Sequence, residues 1–179
     1  MSPEAPIRIA VMLSPASGDG CVEFSRFLAV YYALLDAGAE MLVASVSGGY
    51  PWPTRPKRPG GEGSELAARF RSDRHARDDL ANTLTFGQVF IEDFHGGFCV
   101  GLPGPIWSSN DDGFAGSLIG RFLQAGKPVA VLPSLFDIQP KGTGGGLLII
   151  GDGDWPPSRA VHALLASVPR LSEKERTLP

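Results

Sequence analysis

Residues 7–45 read IRIAVMLSPASGDGCVEFSRFLAVYYALLDAGAEMLVAS. Residues 7–13 are a nearly continuous apolar run that stops at Ser14-Pro15 and a Gly18-Asp19-Gly20 turn. A strand covered on both faces of a parallel sheet reads this way. Residues 22–37 then carry Phe24, Phe27, Leu28, Tyr31, Leu34 and Leu35 at helical spacing, with Asp19 or Gly20 as cap and Gly38 as terminator. Residues 40–45 read as a second strand. Strand, helix and strand within about forty residues predict a βαβ unit.

The rest of the chain extends this alternation. Residues 48–63 form a loop rich in Pro and Gly, and residues 64–71 and 75–81 read as short helices. Residues 87–91 read as a strand or an extended approach. Residues 98–101 (FCVG) are a short buried strand that ends in Leu102-Pro103-Gly104-Pro105. Residues 114–124 form an amphipathic helix closed by Gly126, and residues 128–132 (PVAVL) a strand stopped by Pro133. Residues 141–146 are a Gly-rich turn, 147–150 the last strand, 158–167 the last helix, and 169–179 a polar tail. Strands alternating with helices predict an α/β, three-layer sandwich with a mostly parallel central sheet and helices on both faces. The 179 residues suit one domain. In such folds ligands sit beyond the carboxyl ends of the strands. Any site is therefore expected near residues 14–23, 101–107, 133–135 and 151–155.

Composition narrows the function. Hydrophobic residues are 43% and charged residues 20%, with a net charge of -3. No basic excess or stripe points to nucleic acid; Arg55, Lys57 and Arg58 lie among prolines and read as a solvated loop. No apolar run approaches the roughly 20 residues that cross a bilayer. Residues 1–6 lack the pattern of a secretory signal, and two cysteines are too few for a disulfide framework. A cytoplasmic protein without membrane or nucleic-acid partners is the expectation.

Several segments, in order along nearly the whole chain, resemble the ThiJ/PfpI family of the class I glutamine amidotransferase-like, flavodoxin-like fold. Gly18-Asp19-Gly20-Cys21-Val22-Glu23 follows the first strand, and Glu23 matches the acidic residue that the family carries near the first helix start. Ala44-Ser45-Val46-Ser47-Gly48-Gly49 resembles its A-S-P-x-G-G turn. Residues 98–107 resemble the strand and loop written P-G-G-H-G-x-x-W. Gly126-Lys127-Pro128-Val129-Ala130 is similar to the G-K-P-V-A that leads into its nucleophile. Residues 148–151 with Pro156-Pro157-Ser158 resemble its closing segment. The resemblance implies a homodimer.

The chain departs from the family where the family does its chemistry. At the elbow that normally carries Cys-His-Gly, it has Pro133, Ser134 and Leu135. Proline offers neither a nucleophile nor an N–H. Where the family has Gly-Gly-His-Gly, this chain has Gly101-Leu102-Pro103-Gly104, which alters any oxyanion hole. The stretch from Ser134 to the last strand is also short. Hydrolase, deglycase or glyoxalase activity through a Cys-His pair is therefore not expected.

Each remaining candidate has a functional and a structural reading. Glu23, in a strand-end cleft, would have a raised pKa suited to acid/base work; it is equally a helix-start acid favoured by the dipole. Cys21 is a displaced nucleophile or a small, partly buried residue. Ser134 is a hydrogen-bond donor or weak nucleophile, without an identified base. Cys99 reads as an inert core thiol. His75 and His95 read as surface residues and His162 as solvated or packing, so no metal site is expected. Asp152 and Asp154 read as a turn, and the glycines of residues 142–146 lack the Gly-Lys-Ser/Thr of a phosphate loop. No cofactor is expected. Gly101, Leu102, Pro103, Trp107, Pro133, Phe136 and Trp155, with Tyr50 and Trp52 nearby, would line an apolar aromatic pocket or pack loops together.

Two functions fit this reading. One is an enzyme on a small, rather apolar molecule of the kind met in specialised metabolism, using Glu23 for hydration, elimination, isomerisation or cyclisation. The other is a non-catalytic, ligand-binding or partner-supporting pseudoenzyme on the same fold.

Overall fold

The computed structural model describes residues 5–14, 20–51, 63–101, 115–132, 148–150 and 156–169. In chain order they form β1 (Arg8–Ser14), α1 (Gly20–Asp36), β2 (Glu40–Ser45), α2 (Gly63–Ser72), α3 (Arg74–Ala81), β3 (Leu84–Thr85), β4 (Gly96–Gly101), α4 (Ala115–Gln124), β5 (Val129–Leu132), β6 (Leu148–Ile150) and α5 (Pro157–Ser167). The strands make one sheet in the order β3-β2-β1-β4-β5-β6, with every described pairing parallel. Apart from the two-residue edge strand β3, the order is the 2-1-3-4-5 arrangement of flavodoxin-like folds.

β1 owes its apolar run to its central position. Ile9, Val11 and Leu13 join a core with α1, α2, α3 and α5, while Ala10 and Met12 join a second core with α4 on the opposite face. These two cores and the sheet between them are the three layers. A ten-residue helix such as α4 is marginal alone. Its buried Leu118, Ile119, Phe122 and Leu123 each contribute about 1.5–3 kcal/mol relative to exposure, which is ample to hold it. No helix among the described residues is long and apolar enough to cross a membrane.

The turns between elements are set by glycine. Gly38, at φ +78°, ends α1: its N–H donates to Leu35 O at 2.9 Å, and that of Ala39 to Leu34 O at 3.0 Å. Gly126 repeats the motif after α4, with Lys127 N–H donating to Phe122 O at 2.9 Å.

The structure refines three expectations. Of the strand and the extended approach that residues 87–91 allowed, the extended approach fits. Two 3-10 turns, Phe86–Gln88 and Ile91–Asp93, flank an extended Val89 and Phe90. Phe86, Val89 and Phe94 are buried against the α4-side core, while Phe90 is 67% exposed. The strand in this region is the shorter β3, just before. β4 begins at Gly96, two residues earlier than the apolar run suggests, because no Cβ is tolerated there: one at Gly96 would lie 2.7 Å from Pro128 O and one at Gly97 2.7 Å from Met12 Cε. His95 is more than a surface residue. Its N–H donates to Arg8 O at 2.8 Å, and its Nδ1 accepts the Arg8 N–H at 3.0 Å, closing the amino end of the β1–β4 pair.

Candidate functional site

β1 has β2 on one side and β4 on the other, and the chain leaves these central strands toward opposite faces. From β1 it goes to α1, on one core; after β4 comes α4, on the other. The strand order reverses here, so the carboxyl ends of β1 and β4 are the place where an open α/β sheet offers a crevice. Ser14 and Gly101, the last residues of the two strands, are register partners. Gly101 has φ +99°, a conformation that residues with a side chain rarely adopt.

α1 begins at Gly20, shortly beyond Ser14, and Cys21 and Glu23 both fall in its first turn. The topology thus brings Glu23, Cys21 and Gly101 to the same edge of the sheet. Leu102, Pro103, Trp107, Pro133, Ser134, Phe136 and Trp155 lie outside the described residues, as do Trp52, Asp152, Asp154 and residues 142–146.

Sequence reading missed the polar groups buried in this half of the sheet. Ser14, Ser45 and Thr83 are the buried polar side chains among the described residues. Ser45 Oγ accepts the Gly48 N–H at 3.1 Å. Gly49 N–H donates to Thr83 O at 2.7 Å, and Thr83 Oγ1 donates to Leu80 O at 2.7 Å. Ser45 and Thr83 therefore fasten the turn after β2. Ser14, 5% exposed, sits at the strand-order reversal itself. The available signal was a serine closing an otherwise apolar strand.

The remaining candidates are dispersed. Cys99 is a fully buried thiol in β4, with Sγ 4.0 Å from Gly101 O. Its neighbours are apolar, which matches a packing role. His75 is exposed on α3, with Nδ1 3.4 Å from Asp79 Oδ1; His162 is exposed on α5. No group of three metal-ligating side chains lies together among the described residues.

Among the described residues, the groups with displaced titration lie between α1 and the α2–α3 hairpin. Burial first, then a 2.6 Å hydrogen bond to Asp79, pushes the Tyr31 phenol far above the usual tyrosine range. Tyr32 is pushed up to about 12, by burial and then by Asp73, whose Oδ2 accepts its hydroxyl at 3.2 Å. Arg69 hydrogen-bonds both oxygens of Asp36, at 2.6 and 2.9 Å, and holds that carboxyl below its usual range. Arg69 also lies 4.0 Å above the Tyr32 ring.

No family model matches the chain, and no curated protein matches it. Solved structures do. Rapid Encystment Protein 24 kDa (REP24) of Francisella tularensis is 14% identical over 70% of this chain and 58% of its own, with a TM-score of 0.48. A protein named APC35852 is 17% identical over 72% of this chain and 57% of its own, with a TM-score of 0.47. The chain spans less than two thirds of either protein, and likeness at this level carries no argument about function.

Proposed function

We propose that the chain is a divergent ThiJ/PfpI-like enzyme that acts on a small, rather apolar molecule by non-covalent acid/base chemistry, with Glu23 as the acid/base group. The observation that carries this reading is the position of Glu23, in the first turn of α1 just past the carboxyl end of β1, where the strand order reverses. In the sequence, proline stands where the family has its thiol, so the reading needs no covalent intermediate. A single carboxyl group best serves reactions in which the proton it takes is the one it gives back. An isomerisation moves a proton between neighbouring carbons. A same-face elimination takes a C–H proton and returns it to the departing hydroxyl, which leaves as water. Hydration is the reverse. The enzyme would work as a cytoplasmic homodimer, without a cofactor.

Wild type and Glu23→Gln, both verified as folded, should be followed by NMR against a panel of neutral hydroxyketones, enones and epoxides. Turnover by wild type that falls at least about 100-fold in Glu23→Gln supports the mechanism. Equal turnover by both proteins sinks it. Binding without turnover by either protein favours the second reading, a ligand-binding or partner-supporting pseudoenzyme, which the loss of the elbow thiol motivates.

A further inference from the structure

The α2–α3 hairpin is joined to α1 by side-chain hydrogen bonds in addition to apolar packing. It shares that core with α5, which packs on α1 through the buried Ala160, Val161, Leu164 and the following Val168. The hairpin buries Ala67, Phe70, Ala76 and Leu80, with Phe70 edge-on to Phe24 at 5.5 Å between ring centroids. Polar contacts fasten it as well. Tyr31 donates to Asp79, Tyr32 donates to Asp73, and Arg69 pairs with Asp36. Asp73 serves twice, because its Oδ1 also accepts the Ala76 N–H and caps α3.

The segment that leaves β2 and the segment that leaves α3 meet. The turn leaving β2 passes through Gly48 and Gly49, at φ +68° and +63°, before the chain reaches α2. The chain leaves α3 through Asn82 and Thr83 into β3. Gly49 N–H donates to Thr83 O, so the outgoing and returning segments are tied there by a backbone bond. Ser45 and Thr83 side chains secure either side of it.

We propose that α2–α3 is a flap that opens from α1 as a unit, hinged where Gly49 meets Thr83 and latched by the hydroxyls of Tyr31 and Tyr32 on Asp79 and Asp73. Apolar burial is non-directional and is lost gradually as surfaces part, whereas a hydrogen-bonded latch is lost within about an ångström. Opening uncovers the outer flank of α1 and the carboxyl end of β2, and leaves the sheet and α5 in place. The groups facing the two latch carboxylates are His75 and Arg69 from the hairpin, and Tyr31, Tyr32 and Asp36 from α1.

Hydrogen exchange of the whole chain at neutral pH, read by mass spectrometry on peptides from α2–α3, β1, β4 and α5, tests the proposal. In wild type the α2–α3 peptides should exchange at least about tenfold faster than those of β1 and β4. Tyr31→Phe keeps the ring and deletes the latch hydroxyl. It should speed exchange of α2–α3 a further tenfold or so, with β1, β4 and α5 unchanged. Tyr32→Phe carries the same expectation should Tyr31→Phe not fold. A common exchange rate for the hairpin and the sheet in wild type, acceleration spread evenly over all elements, or no acceleration in either variant overturns it.

Discussion

Ser14, the last residue of β1, lies in register with Gly101, the last residue of β4. One is a buried hydroxyl and the other has no side chain, so a polar group and a glycine close the two strands at the strand-order reversal. Gly101 has φ +99°. Gly101→Ala forces a Cβ into a backbone region that suits only glycine and is expected to cost about 1–3 kcal/mol. Urea unfolding should show a lower midpoint with an unchanged slope. A midpoint equal to wild type would mean that the strand end relaxes freely and that its geometry is not imposed by the fold.

Three glycines separate space from backbone conformation. At Gly96 an added Cβ meets the Pro128 carbonyl oxygen at 2.7 Å, a backbone atom that cannot swing aside. At Gly49 it meets nothing within 4 Å, but φ is +63°. At Gly87 it meets nothing, and φ is ordinary. Alanine is therefore expected to destabilise most at Gly96, by about 1–3 kcal/mol. At Gly49 the loss should be nearer about 1–2 kcal/mol. At Gly87 it should be neutral or stabilise by up to about 1 kcal/mol, through the unfolded chain. Thermal denaturation of the three variants gives the order directly, and a Gly87→Ala less stable than Gly96→Ala would contradict the packing described.

The same glycines mark how far the sequence could be read. β1, α1 and β2 were legible because buried strands and a two-faced helix leave strong periodicities, and Gly38 gives a clear stop. Gly96 and Gly97 hid the start of β4, since two glycines carry no apolar signal although close approach demands them. Residues 87–91 left a strand and an extended approach open; Phe86, Val89, Ile91 and Phe94 are placed by two 3-10 turns that drop side chains onto the α4-side core. β3, with two residues, has no pattern to read. At the site, the βαβ alternation was enough to place Glu23, Cys21 and Gly101 at one sheet edge. Tyr31 entered only as part of an apolar stripe and Tyr32 was not in it, because the hydroxyl partners of the two lie 48 and 41 residues away.

Those two phenols make alkaline stability a test of the α1 flank. In the unfolded chain a tyrosine loses its proton near pH ~10. In the fold Tyr32 holds its proton to about 12, and Tyr31 holds its own still longer. Above pH ~10 the unfolded chain has thus released protons that the folded chain retains. Their contribution is intact below ~10 and is lost as the pH rises through about 12 and beyond. The denaturation midpoint should fall between about pH 9 and about pH 11, more steeply than for Tyr31→Phe, while tyrosinate absorbance of the folded protein stays below that of the unfolded chain. Equal slopes in wild type and variant would show that the Tyr31 phenol ionises as freely in the fold as out of it.

Lys127 fixes the segment that replaces a helix between β3 and β4. Its Nζ donates to Ile91 O at 2.5 Å and to Phe94 O at 2.6 Å, the carbonyls of the first residue of the second 3-10 turn and of the residue that follows the turn. Without these bonds, two carbonyls beside the buried Phe94 lose a charged partner, and hydrogen bonds to charged groups are worth about 1.5–3 kcal/mol each. Lys127→Met keeps the aliphatic stem and removes the donor. It is expected to destabilise the protein by about 2–4 kcal/mol if water replaces the ammonium imperfectly at both sites. Arginine should not restore the loss, because a planar guanidinium cannot fold back onto two carbonyls of one short turn as a compact ammonium does. Exchange of the 86–95 amides should rise more than that of β1. A Lys127→Met variant as stable as wild type would mean that packing of Phe86, Val89 and Phe94 alone holds the segment on the sheet.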